Sequence, residues 1–263
     1  MKRVKLIACD LDGTLLLNGE QSLRPDTCSL IESLLSEGIL FFAASGRQYT
    51  NLQRLFWPIR EKIGYLCENG CLSFYQNRQL CKEYMDRRLG RELINAIQQK
   101  DGAEGLVSGV MESYIQPKDM SFYYHMRDVV KNDVTLVPDI LHTNEEYMKI
   151  SVYEADGVKD EGYWKDRFGK RCTIATGGNA WLDMMPLHVN KATALIHILS
   201  RLGISPEDCM AVGDNDNDRE MLELVGYPVA VKSAKPEIRA LARYETDTVE
   251  HLLWNVISGQ LKG

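Results

Sequence analysis

Two short apolar runs, far apart in the chain, each break off into acidic residues and glycine. Val4–Cys9 runs into Asp10-Leu11-Asp12-Gly13-Thr14, and Cys209–Val212 runs into Gly213-Asp214-Asn215-Asp216-Asn217-Asp218. A short run apolar on both faces, as these are but for Lys5 near the start of the first, suits a buried strand, the condition of a parallel sheet covered by helices. The neighbouring segments repeat this grammar. Pro25 to Glu37 reads as a helix, with Pro25 in its first turn, Cys28, Ile31, Leu34 and Leu35 on one face, and Gly38 as the stop. Ile39 to Ala43 is the next strand, ending in Ala44-Ser45-Gly46-Arg47, and a helix over Tyr49 to Phe56 precedes Pro58. Tyr65 to Cys67 is a third strand, ending in Glu68-Asn69-Gly70. Three strand–crossover units in succession imply a parallel sheet with right-handed connections. In the last quarter, Asn190 caps a helix over Lys191 to Leu202 that Gly203 closes. After the strand Cys209–Val212 come a helix from about Asp218 to Val225, a strand at Pro228–Val231, and helices over Pro236–Arg243 and Asp247–Ile257.

The middle reads differently. It has longer alternating strands such as Lys149–Tyr153, a hairpin of Thr173–Thr176 and Ala180–Met185 about Gly177-Gly178, and helical stretches near Arg91–Gln99 and Val158–Phe168. The expected architecture is therefore α/β: a Rossmann-like parallel-sheet core from residues 1–83 and 187–263, with an inserted α+β cap domain of residues 84–186. At 263 residues, 44% hydrophobic and 26% charged, the composition is that of a globular protein and excludes disorder and fibrous repeats. A net charge of -6 argues against a broad nucleic-acid or anionic-membrane footprint. The seven cysteines are odd in number and scattered through apolar runs, so reduced, buried thiols and a cytoplasmic location are expected. Met1-Lys2-Arg3 before an apolar run has the look of a signal peptide, but Asp10 and Asp12 fall inside its would-be core.

In open parallel sheets, ligands bind beyond the carboxyl ends of the strands. Asp10 and Asp12, Ser45 and Gly46, Asn69, and Asp214 through Asp218 all sit at predicted strand ends, and Lys191 opens a helix facing the same edge. Several carboxylates converging on a point repel one another unless a cation lies among them, and oxygen-only ligands favour Mg²⁺ over zinc or copper. A hydroxyl, backbone amides and a lysine alongside make a cradle for phosphate. The combination points to phosphoryl chemistry.

Asp10-Leu11-Asp12-Gly13-Thr14, Ser45-Gly46-Arg47, Asn190-Lys191 and Gly213-Asp214 through Asp218 resemble the four ordered motifs of the haloacid dehalogenase (HAD) superfamily. The insertion before Lys191 is similar to that of its Cof-type, sugar-phosphatase-like hydrolases with a type 2B cap. The resemblance implies Asp10 as nucleophile and Asp12 as general acid and base. It implies Mg²⁺ held by the Asp10 side chain, the Asp12 backbone carbonyl and Asp214, with Asp218 steadying that set. Phosphate would meet the Leu11 and Gly46 amides, the Ser45 hydroxyl, Lys191 and Asn217. The implied function is Mg²⁺-dependent hydrolysis of a small phosphorylated metabolite, a sugar phosphate or phosphorylated cofactor, through an aspartyl phosphate. The protein would be a monomer or small homo-oligomer. A phosphomutase using the same intermediate and a non-catalytic phosphoaspartate signalling module are the alternatives. Ala192 stands where many relatives have glycine, and the segment Tyr244–Ile257 lacks the usual glycine-containing close. Arg47 is left open between reaching substrate or cap and pairing with a carboxylate. His125, His142, His188, His197 and His251 have no metal spacing, and Phe122-Tyr123-Tyr124 and Trp181 read mainly as packing, with Trp181 also a candidate pocket wall.

Overall fold

The structure, a computed structural model, describes residues 4–110, 112–176 and 180–260. Its strands are β1 (Leu6–Cys9), β2 (Leu40–Ala44), β3 (Gly64–Cys67), β4 (Leu72–Tyr75), β5 (Arg78–Lys82), β6 (Glu104–Ser108) and β7 (Ser113–Ile115). They continue as β8 (Val134–Leu136), β9 (Lys149–Tyr153), β10 (Cys172–Thr176), β11 (Trp181–Pro186), β12 (Cys209–Gly213), β13 (Tyr227–Val231) and β14 (Tyr244–Thr246). Among the described residues these form two sheets. One has the order β14-β13-β12-β1-β2-β3-β4-β5, parallel from β14 to β3 and antiparallel beyond. The other has the order β10-β11-β9-β6-β7-β8 and is antiparallel except for the β7–β8 pair. This is the α/β class expected, a parallel-sheet core carrying an α+β insertion.

β1 lies at the centre of the first sheet with all four residues fully buried. Alternation along it serves two helical layers. Ile7 and Cys9 pack with Ile31 and Leu34 of the helix Thr27–Ser36 and with Leu252 and Leu253 of the helix Val249–Ile257. Leu6 and Ala8 pack with Leu195, Ile198 and Leu199 of the helix Lys191–Leu202. Each such Leu or Ile contributes about 1.5–3 kcal/mol on burial. The helix Lys191–Leu202 is fastened at both ends. The Asn190 side chain accepts from Thr193 N at 2.9 Å, the Thr193 hydroxyl accepts from Asn190 N at 3.0 Å, and Gly203 closes it at φ 66°.

In the second sheet, Ile150 and Val152 of β9 and Leu182 and Met184 of β11 pack with Leu89, Leu93, Ile94 and Ile97 of the helix Arg87–Gln99. The alternate residues, including Lys149, Ser151, Trp181 and Asp183, turn toward a cavity shared with Asp10 and Asp214.

Several expectations need adjusting. The first helix begins at Thr27, with Asp26 and not Pro25 at its entry. The helix from Pro236 stops at Arg239 instead of Arg243, because Tyr244–Thr246 adds β14 to the edge of β13, with Arg243 N donating to Pro228 O at 3.0 Å. Between residues 104 and 186 the expected strand Lys149–Tyr153 is β9 with the same bounds, and the expected runs Thr173–Thr176 and Ala180–Met185 are β10 and β11 within one residue at each end. β10 and β11 do pair antiparallel, while Gly177-Gly178 and Met1–Arg3 lie outside the described residues.

Candidate active site

The chain turns immediately after Asp10. Leu11 O accepts from Thr14 N at 3.1 Å and from Leu16 N at 2.7 Å, so the strand ends before Asp12 can share a face with Asp10. The two carboxylates part company: Asp10 is buried, while the Asp12 side chain is 54% exposed. Gly13 makes the turn at φ 94°, a region costly for a side chain, and a Cβ there would lie 2.4 Å from Asp214 Oδ2. On β12, Gly213 lets Asp218 approach, since a Cβ would meet the Asp218 Cβ at 2.5 Å.

Lys191 Nζ donates to Asp10 Oδ1 at 2.5 Å and to Asp218 Oδ1 at 2.7 Å, with its side chain wholly buried. The other Asp218 oxygen accepts from the amides of Asp214 and Asn215 at 3.0 and 3.1 Å. The Thr14 hydroxyl donates to Asp214 Oδ1 at 2.6 Å. Asp10, Asp214 and Asp218 each bring an oxygen within 4.8 Å of the others. Burial, then the Asp218 carboxylate, pushes the Asp10 carboxyl well above the usual range, against the pull of Lys191. Burial likewise raises Asp214. Burial alone would lower Lys191, yet Asp10 and Asp218 outweigh it, and the ammonium is held in its charged form. Three carboxylates around one lysine leave the cluster short of positive charge. An all-oxygen donor set with that deficit fits a hard divalent cation.

Arg47 resolves to a carboxylate partner: Nε donates to Asp12 Oδ2 at 2.9 Å and Nη2 to Asp12 Oδ1 at 2.5 Å. Ser45 is buried at the end of β2, its hydroxyl accepting from Arg47 N at 3.1 Å. Asn217 Nδ2 donates to Asn69 Oδ1 at 3.3 Å, and Asn69 Nδ2 donates to Asp183 Oδ2 at 2.7 Å. Asp10, Asp12, Ser45, Gly46, Asp214 and Asn217 line one cavity of about 450 Å³. Lys191 lines a second of about 290 Å³ that shares Asn69 and Asn217 with the first.

Sequence reasoning missed the charged residues that the second sheet brings over this cavity. Lys149 Nζ donates to Gly46 O at 2.7 Å and stands 2.8 Å from Glu68 and 3.2 Å from Asp183. The Ser151 hydroxyl donates to Asp183 Oδ1 at 2.6 Å. Burial works against the Lys149 ammonium, but Asp183 and Glu68 hold its pKa above that of an ordinary lysine. The available signal was a lysine and an aspartate set among apolar residues in Lys149–Tyr153 and Trp181–Pro186.

A parallel sheet with acids gathered at its strand ends is an α/β architecture whose candidate site lies at that edge. The sequence profile of the haloacid dehalogenase-like hydrolases matches residues 7–251, and the chain belongs to that family. It is an enzyme, a hydrolase of the Cof-type phosphatase branch. It is 25% identical over 253 residues to an HMP-PP phosphatase of Serratia proteamaculans, covering 90% of this chain and 87% of that one. It is 24% identical over 250 residues to the 5-amino-6-(5-phospho-D-ribitylamino)uracil phosphatase YbjI of Escherichia coli, covering 92% and 90%. A haloacid dehalogenase-like hydrolase from B. subtilis has the same fold, with a TM-score of 0.84 at 20% identity over 95% of this chain and 99% of the other. So does the subclass IIB sugar phosphatase BT4131, with a TM-score of 0.83 at 22% identity over 98% and 100%. Among the described residues no helix is long and apolar enough to cross a membrane.

Proposed function

We propose that this chain hydrolyses the phosphate monoester of a small phosphorylated metabolite, a sugar phosphate or phosphorylated cofactor, through an aspartyl phosphate on Asp10. The observation that carries the reading is the buried Asp10–Lys191–Asp218 contact beside Asp214, at the ends of two adjacent parallel strands. A carboxylate oxygen of Asp10 bonds to phosphorus as the ester P–O bond breaks, and the departing oxygen takes a proton from Asp12. Water then attacks phosphorus, Asp12 takes a proton from it, and the Asp10 carboxylate is released. Asp12 can serve both transfers because it is exposed on the cavity wall, where Arg47 orients its carboxylate. Lys191 neutralises the phosphoryl oxygens, joined by the Leu11 and Gly46 amides, the Ser45 hydroxyl and Asn217. The Asp10 side chain, the Asp12 carbonyl and Asp214 would hold Mg²⁺, which when bound would supply positive charge against both the carboxylates and the phosphoryl group.

In an assay of p-nitrophenyl phosphate hydrolysis with Mg²⁺, Asp10→Asn is expected to abolish turnover. Asp12→Ala should slow it about 10²–10⁴-fold, the usual contribution of a general acid. Substantial Mg²⁺-dependent turnover by Asp10→Asn would remove the nucleophile from the scheme.

A further inference from the structure

The 450 Å³ cavity has two unlike ends. Asp10, Asp12 and Asp214 mark one, and one face of the second sheet makes the other: Leu106 and Ser108 from β6, Lys149 and Ser151 from β9, Trp181 and Asp183 from β11. The charge at this far end is settled by what Lys149 already touches. Its ammonium donates to Gly46 O and Asp183 and lies 2.8 Å from Glu68, so its charge is answered within the protein. Arg47 is engaged in the same way by both oxygens of Asp12. Among the described residues lining the cavity, no cation is left to meet a carboxylate or a second phosphate, and Glu68 with Asp183 outnumbers Lys149.

Beside these charged and hydroxyl groups the end has an apolar wall. Trp181 packs on Tyr153 and Phe122, with ring centroids 4.7 and 6.2 Å away, and lines the cavity together with Leu106, Met126 and Val129. Gln48 adds one directional group. It is buried, its Nε2 donates to Ser113 at 2.6 Å, and its Oε1 has no partner, so it suits an N–H or O–H brought by a ligand. An open groove of about 740 Å³ that shares Gln21, Arg47, Asn51 and Asn132 with the cavity adds Arg24, Arg54, Arg127 and Lys131; Lys131 lines this groove and not the cavity itself, and the three arginines are paired. Their acids are Glu250 at 3.7 Å, Asp133 at 2.8 Å and Asp128 at 2.7 Å.

We infer that the leaving group, on the phosphatase reading above, is a flat, uncharged or basic ring bearing N–H or O–H donors, and that a second anionic group is selected against. A neutral ring lies against Trp181 without desolvating charge, and a basic one gains from Glu68 and Asp183. A second anion would enter a desolvated end with no counter-charge.

A series differing in charge at one ring position tests this: benzyl phosphate, 4-(aminomethyl)benzyl phosphate and 4-carboxybenzyl phosphate, with glycerol phosphate and fructose 1,6-bisphosphate as controls. The full chain is assayed with Mg²⁺ for kcat/KM. The benzyl and aminomethyl esters should exceed the carboxy ester by roughly tenfold or more, since buried mismatches discriminate on that scale. Trp181→Ala should narrow the ratio of benzyl to glycerol phosphate about fivefold, as loss of an aromatic anchor does. Val129 is 57% exposed at the cavity wall, and Val129→Lys should improve the carboxy ester about threefold or more by supplying the missing cation. Equal or better turnover of the carboxy ester or the bisphosphate by the unaltered chain would overturn the inference and leave the phosphatase reading standing. Failure to hydrolyse any ester, p-nitrophenyl phosphate included, would overturn the phosphatase reading itself.

Discussion

Lys191 shows how much of this site rests on single residues. Its ammonium is enclosed with two carboxylates, and taking it away would leave Asp10 and Asp218 buried with no cation between them. Breaking such a pair typically costs about 3–5 kcal/mol. Lys191→Met is therefore expected to lose about that much in urea unfolding, and to recover more stability from added Mg²⁺ than the unaltered chain does. Equal responses to Mg²⁺ would mean the carboxylates are balanced some other way. Gly13→Ala attacks the same cluster from the backbone. A Cβ at φ 94° pressed against Asp214 costs about 1–3 kcal/mol and displaces a carboxylate of the proposed cation site. Isothermal titration with Mg²⁺ should show weaker binding, and unaltered affinity would show that the turn yields without moving Asp214.

At the scale of elements, legibility followed burial. β1, β2, β3 and β12 stood out because each is a short apolar run closed by polar residues, and the helix Lys191–Leu202 because Asn190 and Gly203 mark both its ends. β4 and β5 were not foreseen. Their half-buried and exposed residues, such as Tyr75, Arg78 and Gln79, carry no strong periodicity at the edge of a sheet. β6, β7 and β8 were missed for a related reason: Ser108 and Ser113 are buried polar residues that only their strand partners explain. Asp10, Lys191 and Asp214 were legible from motif positions, whereas Lys149 and Asp183 meet Glu68 only through folding, across more than thirty residues of chain. That ion cluster joins β9 and β11 of one sheet to the loops after β2 and β3 of the other. Lys149→Met should therefore destabilise the chain by about 3–5 kcal/mol in urea unfolding, with most of the loss restored by adding Glu68→Gln. If the double variant is no more stable than the single, the cost lies in the lost Gly46 contact.

At the scale of the whole molecule, residues from both ends of the chain meet at one rim, and the second sheet faces that rim across the cavity. The charge deficit at Asp10, Asp214 and Asp218 belongs to the folded state alone, because unfolding scatters these acids along the chain. A divalent cation that answers the deficit therefore binds the native form and stabilises it by mass action, by about 2.7 kcal/mol at a hundred times its Kd. For a chain of this size each kcal/mol moves the midpoint by roughly 2–4 °C, so saturating Mg²⁺ should raise Tm by roughly 5–10 °C over protein treated with EDTA. Ca²⁺, larger and less strict in geometry, should also raise Tm, but it would support turnover poorly if octahedral placement of the phosphoryl group matters. Calorimetric scans with EDTA, Mg²⁺ and Ca²⁺, run beside p-nitrophenyl phosphate assays under the same conditions, separate binding from chemistry. A Tm indifferent to both ions would mean that Lys191 and protonation of the carboxylates balance the cluster without a metal, and the Mg²⁺-dependent scheme would fall with it.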